Sequence, residues 1–283
     1  MLKAPTTAIS KYGLLTRKKI NKLISVLLAT YNWPKALSLS LQSLRQQTDL
    51  DFEIIICDDG SKNETKELIE HFQKEFPVKI THLWQEDDGF RKSAILNKGI
   101  QASQGDYLVF LDGDCIVQAN FIENHKKLAE KNYMVTGSRI LCNQSLTNEL
   151  CEKNIWSKTF FSKNIGRWIL KKRINKFSPL FIKLPDHQFR KYSKFVWQRI
   201  KGCNMACWKA DALAIGGFDE ALVGWGHEDA DFVFRLYSHG IQRKSGAWST
   251  EVLHLWHKMA DKESAQKNAA IVRAKILAKA NQR

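Results

Sequence analysis

The pattern of apolar and polar positions changes period several times between residues 23 and 112. Residues 23–29 form an apolar run without alternation, the mark of a strand buried on both faces. Leu37, Leu41 and Leu44 then follow at i, i+4, i+7, which predicts an amphipathic helix with Pro34 in its first turn. Residues 52–57 predict a second strand. Ser61, with Glu64 three residues on, is a capping-box pattern opening a helix whose apolar face is Leu68, Phe72 and Phe76. A strand at 78–84, a helix near 93–102 and a strand at 107–111 complete the alternation. Strands separated by helices imply a doubly wound α/β unit, with a mostly parallel sheet and helices on both faces.

After residue 139 the pattern weakens. Residues 140–200 are rich in Lys, Arg, Trp and Phe without a clean period. A compact segment returns at 202–240, followed by a strand-like 249–255. Ala265, Ala269, Val272, Ile276 and Ala280 are spaced for a packing helix. The expected organisation is an N-terminal extension at 1–22, an α/β half at 23–139, an insert at 140–201, a second compact segment at 202–258 and a C-terminal helix at 259–283.

Composition narrows the class. With 44% hydrophobic, 26% charged and 11% aromatic residues in 283, the chain can bury a core, and it is neither disordered nor fibrous. No apolar run approaches the roughly 18 residues of a spanning helix, and the basic N-terminus lacks the apolar stretch of a secretory signal. The expected location is therefore cytoplasmic. The six cysteines show no C-x-x-C pair and read as free, mostly buried thiols, with no partners at metal spacing for Cys203 and Cys207. The net charge of +15 is local: residues 1–22 carry +6 and residues 158–201 carry +12, which leaves −3 for all the rest.

Three polar loops follow apolar strands: Thr30-Tyr31-Asn32, Asp58-Asp59-Gly60-Ser61 and Asp112-Gly113-Asp114. In doubly wound sheets this carboxyl edge is where ligands bind. Asp112 and Asp114, two apart at a strand end, can face one point in extended backbone, with Gly113 letting a ligand approach; two aspartates completed by phosphate and water suit Mg²⁺ or Mn²⁺. In Gly224-Trp225-Gly226-His227-Glu228-Asp229-Ala230-Asp231, three carboxylates crowd a glycine-flexed turn. Such like charges raise one another's pKa, which suits a general base.

Taken in order, these motifs resemble a family 2 glycosyltransferase of GT-A fold. Over residues 23–135 the likeness rests on Ala29-Thr30-Tyr31-Asn32, Cys57-Asp58-Asp59-Gly60-Ser61, Gly89-Phe90-Arg91-Lys92 with Asn97-Lys98-Gly99, and Asp112-Gly113-Asp114. Residues 202–240, from Gly202-Cys203-Asn204-Met205-Ala206 through Gly216-Gly217-Phe218-Asp219 to Gly224–Asp229, resemble the C-terminal segment of galactosyltransferases and of chondroitin-type polymerases. The likeness covers a little over half the chain and leaves out the insert. A single catalytic unit disfavours a bifunctional polymerase.

The resemblance makes 23–139 the nucleotide-sugar half and 202–258 the acceptor and catalytic segment. It implies that Thr30, Asn32 and Asp59 contact the uridine with Asp58 nearby. Arg91 or Lys92 would face the diphosphate. Asp112 would bind the ribose and, with Asp114 and a metal, the diphosphate. Asp229 would be the catalytic base and Glu228 would orient the acceptor hydroxyl. His254 would be the distal ligand of Mn²⁺ or Mg²⁺, with His257 its competitor. The implied reaction is a single, inverting displacement that moves a hexose or N-acetylhexosamine from a UDP-sugar to a glycan or lipid-linked glycan, in lipopolysaccharide or capsule biosynthesis.

Three other classes fit less well. A nucleotidyltransferase would carry a glycine-rich loop after its first strand, where this chain has Ala29-Thr30-Tyr31-Asn32-Trp33-Pro34. A glycoside hydrolase would pair carboxylates without a metal-type D-x-D. A nucleic-acid-binding module driven by residues 158–201 leaves the acidic clusters unexplained, so nucleic acid is not an expected partner. Nine aromatic rings mixed with thirteen cations in that region suit instead an anionic membrane surface, which would place the enzyme peripherally on the inner membrane.

Overall fold

The computed structural model describes residues 23–196, 200–258 and 262–280. The basic extension at 1–22 and, within the aromatic segment, Trp197 and Arg199 lie outside the described residues. In chain order the elements are β1 (Ile24–Thr30), α1 (Pro34–Leu44), β2 (Phe52–Asp58), α2 (Asn63–Glu75), β3 (Ile80–Trp84), α3 (Lys92–Ala102), β4 (Tyr107–Asp112), β5 (Cys115–Val117), α4 (Phe121–Leu128), β6 (Tyr133–Thr136), β7 (Arg139–Leu141), α5 (Gln144–Lys153), α6 (Lys158–Leu170), α7 (Ser178–Phe181), β8 (Asn204–Trp208), α8 (Lys209–Ala214), α9 (Glu228–Ser238), β9 (Gln242–Ser245), β10 (Val252–His254) and α10 (Lys262–Ala280).

β1 is apolar on both pleat faces because it is central. It pairs in parallel with β2 on one side and β4 on the other, and helices cover both faces. The seven-stranded sheet runs β3-β2-β1-β4-β8-β6-β9. Its first four strands are parallel, β8 is antiparallel to β4 and β6, and β9 is parallel to β6. Leu37 and Leu41 of α1, Ile69 and Phe72 of α2 and Phe121 of α4 pack on one face. Ile95 and Leu96 of α3, Ala212 of α8 and Phe232 of α9 pack on the other. This is the expected α/β fold with helices on both faces. Strands from before residue 113 and after residue 203 share one sheet, so both halves of the sequence reach the same sheet edge.

The capping box does not form. Lys62 precedes α2 without a side-chain cap, and Ser61 Oγ instead accepts the Asn32 N–H at 2.8 Å while Asn32 Oδ1 accepts the Lys62 N–H at 2.9 Å. Ser61 thus ties the β2–α2 loop to the β1–α1 loop, a contact that competes with local capping.

Residues 140–196 fold into α5, α6, α7 and connecting turns over a third apolar cluster. Trp168 is fully buried and stacks on Trp156 at 6.1 Å, with Phe160 and Phe161 against it. Ala36 and Leu39 of α1, and Ile116, Ile140 and Leu253 of the three-stranded β5-β10-β7 sheet, complete the cluster. No period shows in the sequence because α6 fully buries only Ile165 and Trp168, too few to set one. Some of the segment's charge is also spent inside. Asp186 pairs with the buried Lys244 at 2.6 Å, and the buried Arg190 donates to the carbonyls of Leu184, Pro185, Ser245 and Ala247. All six cysteines are free thiols, as expected. Among the described residues no helix is long and apolar enough to cross a membrane.

If the third cluster belongs to the cooperative core, Trp168→Ala should cost about 3–5 kcal/mol by urea unfolding, whereas Phe181→Ala, at an exposed ring, should stay within about 0.5 kcal/mol. Equal, small shifts for both would detach this segment from the core.

Candidate active site

The carboxyl ends of β1, β2 and β4 gather the three polar loops. Thr30 is buried at the end of β1, and its carbonyl accepts the Asp59 N–H at 3.0 Å. Asp59 is held from both sides: Oδ1 accepts Gln85 Nε2 at 2.6 Å and Oδ2 accepts the Arg91 N–H at 2.8 Å. Burial pushes its pKa up, against these two donors. Asp58 is turned into the fold, with Oδ1 on the Ser61 N–H at 2.8 Å and Oδ2 on His82 Nε2 at 3.0 Å. Asn32, in left-handed backbone at φ 45, forms the loop clasp described above.

Asp112 and Asp114 meet at this edge, but not through extended backbone. The chain turns at Gly113, whose N–H donates to Ala29 O at 2.7 Å, and a Cβ there would stand 2.9 Å from that same oxygen. The glycine is required by the close approach of β1 rather than by a ligand. Asp112 Oδ1 accepts from Lys92 Nζ at 2.5 Å. Burial works against the charge on Lys92, but Asp112 and Glu228 outweigh it and raise its pKa. Arg91 differs: its guanidinium is engaged by Glu86 O at 2.7 Å and Asp88 at 3.4 Å.

Asp114 lies between two imidazoles, His254 Nε2 at 3.7 Å from Oδ1 and His257 Nε2 at 3.4 Å from Oδ2. His254 is positioned by β10, paired to β5 so that it stands opposite Cys115. Both histidines turn Nδ1 to a backbone carbonyl, Leu255 O at 2.9 Å and Lys258 O at 3.0 Å. A carbonyl only accepts, so each Nδ1 carries a proton, and Nε2 is the nitrogen each ring turns toward Asp114. Burial, with Arg139 adding to it, lowers the His254 pKa against the pull of Asp114. Burial raises the pKa of Asp114 despite both histidines. Asp114 and the two Nε2 atoms stand 3.4–3.7 Å apart, wider than good hydrogen bonds. The same oxygen and nitrogen set fits a divalent cation well.

Glu228 and Asp229 open α9 after His227, which takes left-handed backbone at φ 68. Asp229 Oδ2 accepts the Gly202 N–H at 2.8 Å and Oδ1 the Ala230 N–H at 2.7 Å, so the carboxylate is aimed with a lone pair left on each oxygen. Glu228 is buried; burial raises its pKa, Lys92 pulls it down, and Asp229 and Asp112 push it further up. Asp231, the third carboxylate of the crowded turn, is no part of this group. It is fully buried on Arg235 Nε at 2.7 Å and Lys275 Nζ at 2.6 Å, which binds α9 to α10.

Lys92 therefore connects the two acidic clusters, while Asp58, Asn32 and Arg91 have their polar groups mainly occupied within the protein. Two contributors, Gln85 and Arg139, carried no sequence signal, and a third, Cys203, entered only within a quoted motif. Gln85 braces Asp59, Arg139 Nη1 lies 3.4 Å from His254 Nε2, and Cys203 packs beneath the aspartates, its carbonyl accepting the Asp112 N–H at 3.4 Å. Each is a single residue brought in from a distant stretch, which no local pattern reports.

Comparison with known proteins identifies the family and the fold. A family model described as the N-terminal domain of galactosyltransferase matches residues 186–258. The chain is 29% identical to chondroitin synthase of Escherichia coli over 242 residues, covering 78% of this chain and only 33% of that protein. The chain thus spans about a third of that curated relative. Among solved structures, residues 1–349 of S. aureus TarS in complex with UDP-GlcNAc superpose with a TM-score of 0.59 at 14% identity, over 90% of this chain and 66% of that one. The mannosyltransferase PcManGT of Pyrobaculum calidifontis, in complex with GDP-Man and Mn²⁺, superposes at 0.55 with 17% identity, over 93% and 65%. The architecture is accordingly that of the GT-A glycosyltransferases. The model described as glycosyl transferase family 2 matches residues 25–184, which carry β1, β2, β4 and both aspartates of the D-x-D turn, and the chain belongs to that family.

Proposed function

We propose that this chain is a metal-dependent, inverting glycosyltransferase that moves a hexose or N-acetylhexosamine from a UDP-sugar to a glycan acceptor. The observation that carries the reading is the pairing, across Lys92, of an Asp112/Asp114 turn backed by two histidines with a carboxylate pair at the start of α9. The UDP-GlcNAc complex of TarS and the Mn²⁺ complex of PcManGT support the donor class and the ion.

In this reading Thr30 and Asp59 hold the uridine, Asp59 accepting the uracil N–H on the lone pairs that Gln85 and Arg91 leave open. Asn32 and Asp58 keep the two loops in register around it. Asp112 takes the ribose, and Lys92 and Arg91 supply positive charge toward the diphosphate. Asp114 with His254, His257 or both would hold Mn²⁺ or Mg²⁺, which when bound offsets the charge that builds on the departing diphosphate. Asp229, fixed by two backbone N–H groups, removes the acceptor hydroxyl proton as the oxygen attacks the anomeric carbon opposite the diphosphate. Attack from that face converts an α-linked donor into a β-linked product. Glu228 orients the hydroxyl, and its charge attraction to Lys92 couples the acceptor side to the donor side.

A lipid-linked acceptor at an anionic membrane is favoured by the outer face of residues 158–189. Lys163 and Arg167 of α6 and Lys171 just past its end recur at i, i+4, i+8, beside the exposed Leu170, and Phe177, Phe181, Ile182 and Phe189 are exposed further along. Cations with apolar side chains in this arrangement fit headgroup depth. Such a seat, on the cytoplasmic leaflet, accords with an acceptor of lipopolysaccharide or capsule type.

Three outcomes test the proposal. Asp112→Asn and Asp114→Asn should each abolish transfer and Mn²⁺-dependent UDP binding by calorimetry with the fold intact; Mn²⁺-stimulated activity in either variant would remove that residue from the site. Asp229→Asn should lower turnover at least about a hundredfold while UDP affinity barely changes; if UDP affinity fell in step, Glu228 would become the better base. The chain should co-sediment with anionic vesicles at low salt and not at high salt, less so with Phe177→Ser/Phe181→Ser, and equal binding to neutral vesicles would exclude the charge-driven mode.

A further inference from the structure

Beneath Asp114 lies a group of different chemistry. The β10–β5 register sets His254 opposite Cys115, and Cys203, just before β8, closes on both. One ligand atom from each of Cys115, Cys203 and His254 lies within 4.8 Å of the other two, and all three residues are buried. Asp114 Oδ1 lies beside this group, 3.6 Å from Cys115 Sγ and 3.7 Å from His254 Nε2. A tetrahedral ion with metal–sulfur bonds of about 2.3 Å and metal–nitrogen or metal–oxygen bonds of about 2.0 Å has ligand–ligand edges of about 3.3–3.8 Å. The sulfur–oxygen distance fits its edge of about 3.5 Å, and the nitrogen–oxygen distance exceeds its edge of about 3.3 Å by a few tenths of an ångström. The cation beside these donors is Arg139, whose Nη1 is 3.4 Å from His254 Nε2 and 4.0 Å from Cys203 Sγ. Arg139 is half-buried, so its guanidinium has a path toward solvent.

The two overlapping donor sets differ in softness. Asp114, His254 and His257 offer oxygen and nitrogen, which suit Mn²⁺ or Mg²⁺, whereas Cys115 and Cys203 add two sulfurs, which suit zinc. We propose that Cys115, Cys203, His254 and Asp114 form a second site, selective for a thiophilic divalent ion such as Zn²⁺, which takes His254 and Asp114 away from the catalytic ion and so switches transfer off. The switch rests on the proposed role of those two residues in transfer. Binding converts two thiols into two metal-bound thiolates and releases two protons to solvent, with no oxidant or reductant involved. Two thiolates and one carboxylate leave a single negative charge on a divalent site, which Arg139 offsets.

The site is tested on the full chain, kept reduced and titrated with Co²⁺. One equivalent should produce a thiolate-to-cobalt charge-transfer band that Zn²⁺ bleaches and that is absent from Cys203→Ser and Cys115→Ser. No band in the parent chain, or a band that survives either substitution, would overturn the site. X-ray absorption on the zinc-loaded parent needs no variant: two sulfur neighbours are expected, and fewer would overturn it. For the switch, zinc should inhibit Mn²⁺-supported UDP-sugar hydrolysis by the parent, with Cys203→Ser needing at least about tenfold more. Equal sensitivity of the two would overturn the switch. A chain that hydrolyses no UDP-sugar would overturn the proposed function, while the sulfur measurements still decide the site.

Discussion

The arrangement depends on one buried ammonium. Asp112, Asp114, Glu228 and Asp229 come from opposite ends of the chain to one sheet edge, and their mutual repulsion, sharpened by burial, opposes that gathering. Lys92 at the start of α3 is the counterweight. It bonds Asp112 directly, lies close enough to Glu228 to draw its pKa down, and stays charged although burial disfavours it. Lys92 in turn depends on the placement of α3, whose Asn97 takes the Phe218 N–H at 2.7 Å and donates to Phe218 O at 3.0 Å. A Cβ on Gly217 would strike Asn97, so the Gly216-Gly217 turn is shaped to meet that helix. The two halves of the sequence are thus fastened by the same helix that supplies the cation.

Much of this was legible from residues alone, and the reason is physical. A central parallel strand must be apolar on both faces, so β1, β2 and β4 stand out, and the polar loops that follow them fall at the ligand edge. The D-x-D turn and the start of α9 were found for the same reason: acidic residues sit directly against buried elements. Their local geometry was less legible. Gly113 serves β1, Ser61 serves Asn32, and Asp231 is a packing ion pair within an otherwise chemical motif. In each case a tertiary partner overrode the local pattern.

What could not be read was what distant residues build together. His254 and His257 looked like rivals for one position, yet both reach Asp114. Cys115 and Cys203 have no spacing motif because they come together only in the folded chain, and Arg139 enters from the edge of the small sheet. The aromatic basic segment contained two populations that composition merges: Trp156 and Trp168 in a core, and Phe177, Phe181 and Phe189 outside it.

The central claim is that Asp114 and the two histidines hold a divalent ion against a nucleotide diphosphate. Pulsed electron paramagnetic resonance on Mn²⁺ bound to the chain together with UDP tests it most directly. Imidazole nitrogen modulation that weakens in a His254→Ala or His257→Ala variant is the result the account predicts. A Mn²⁺–UDP complex without imidazole coupling, equally strong in the Asp114→Asn variant, would contradict it.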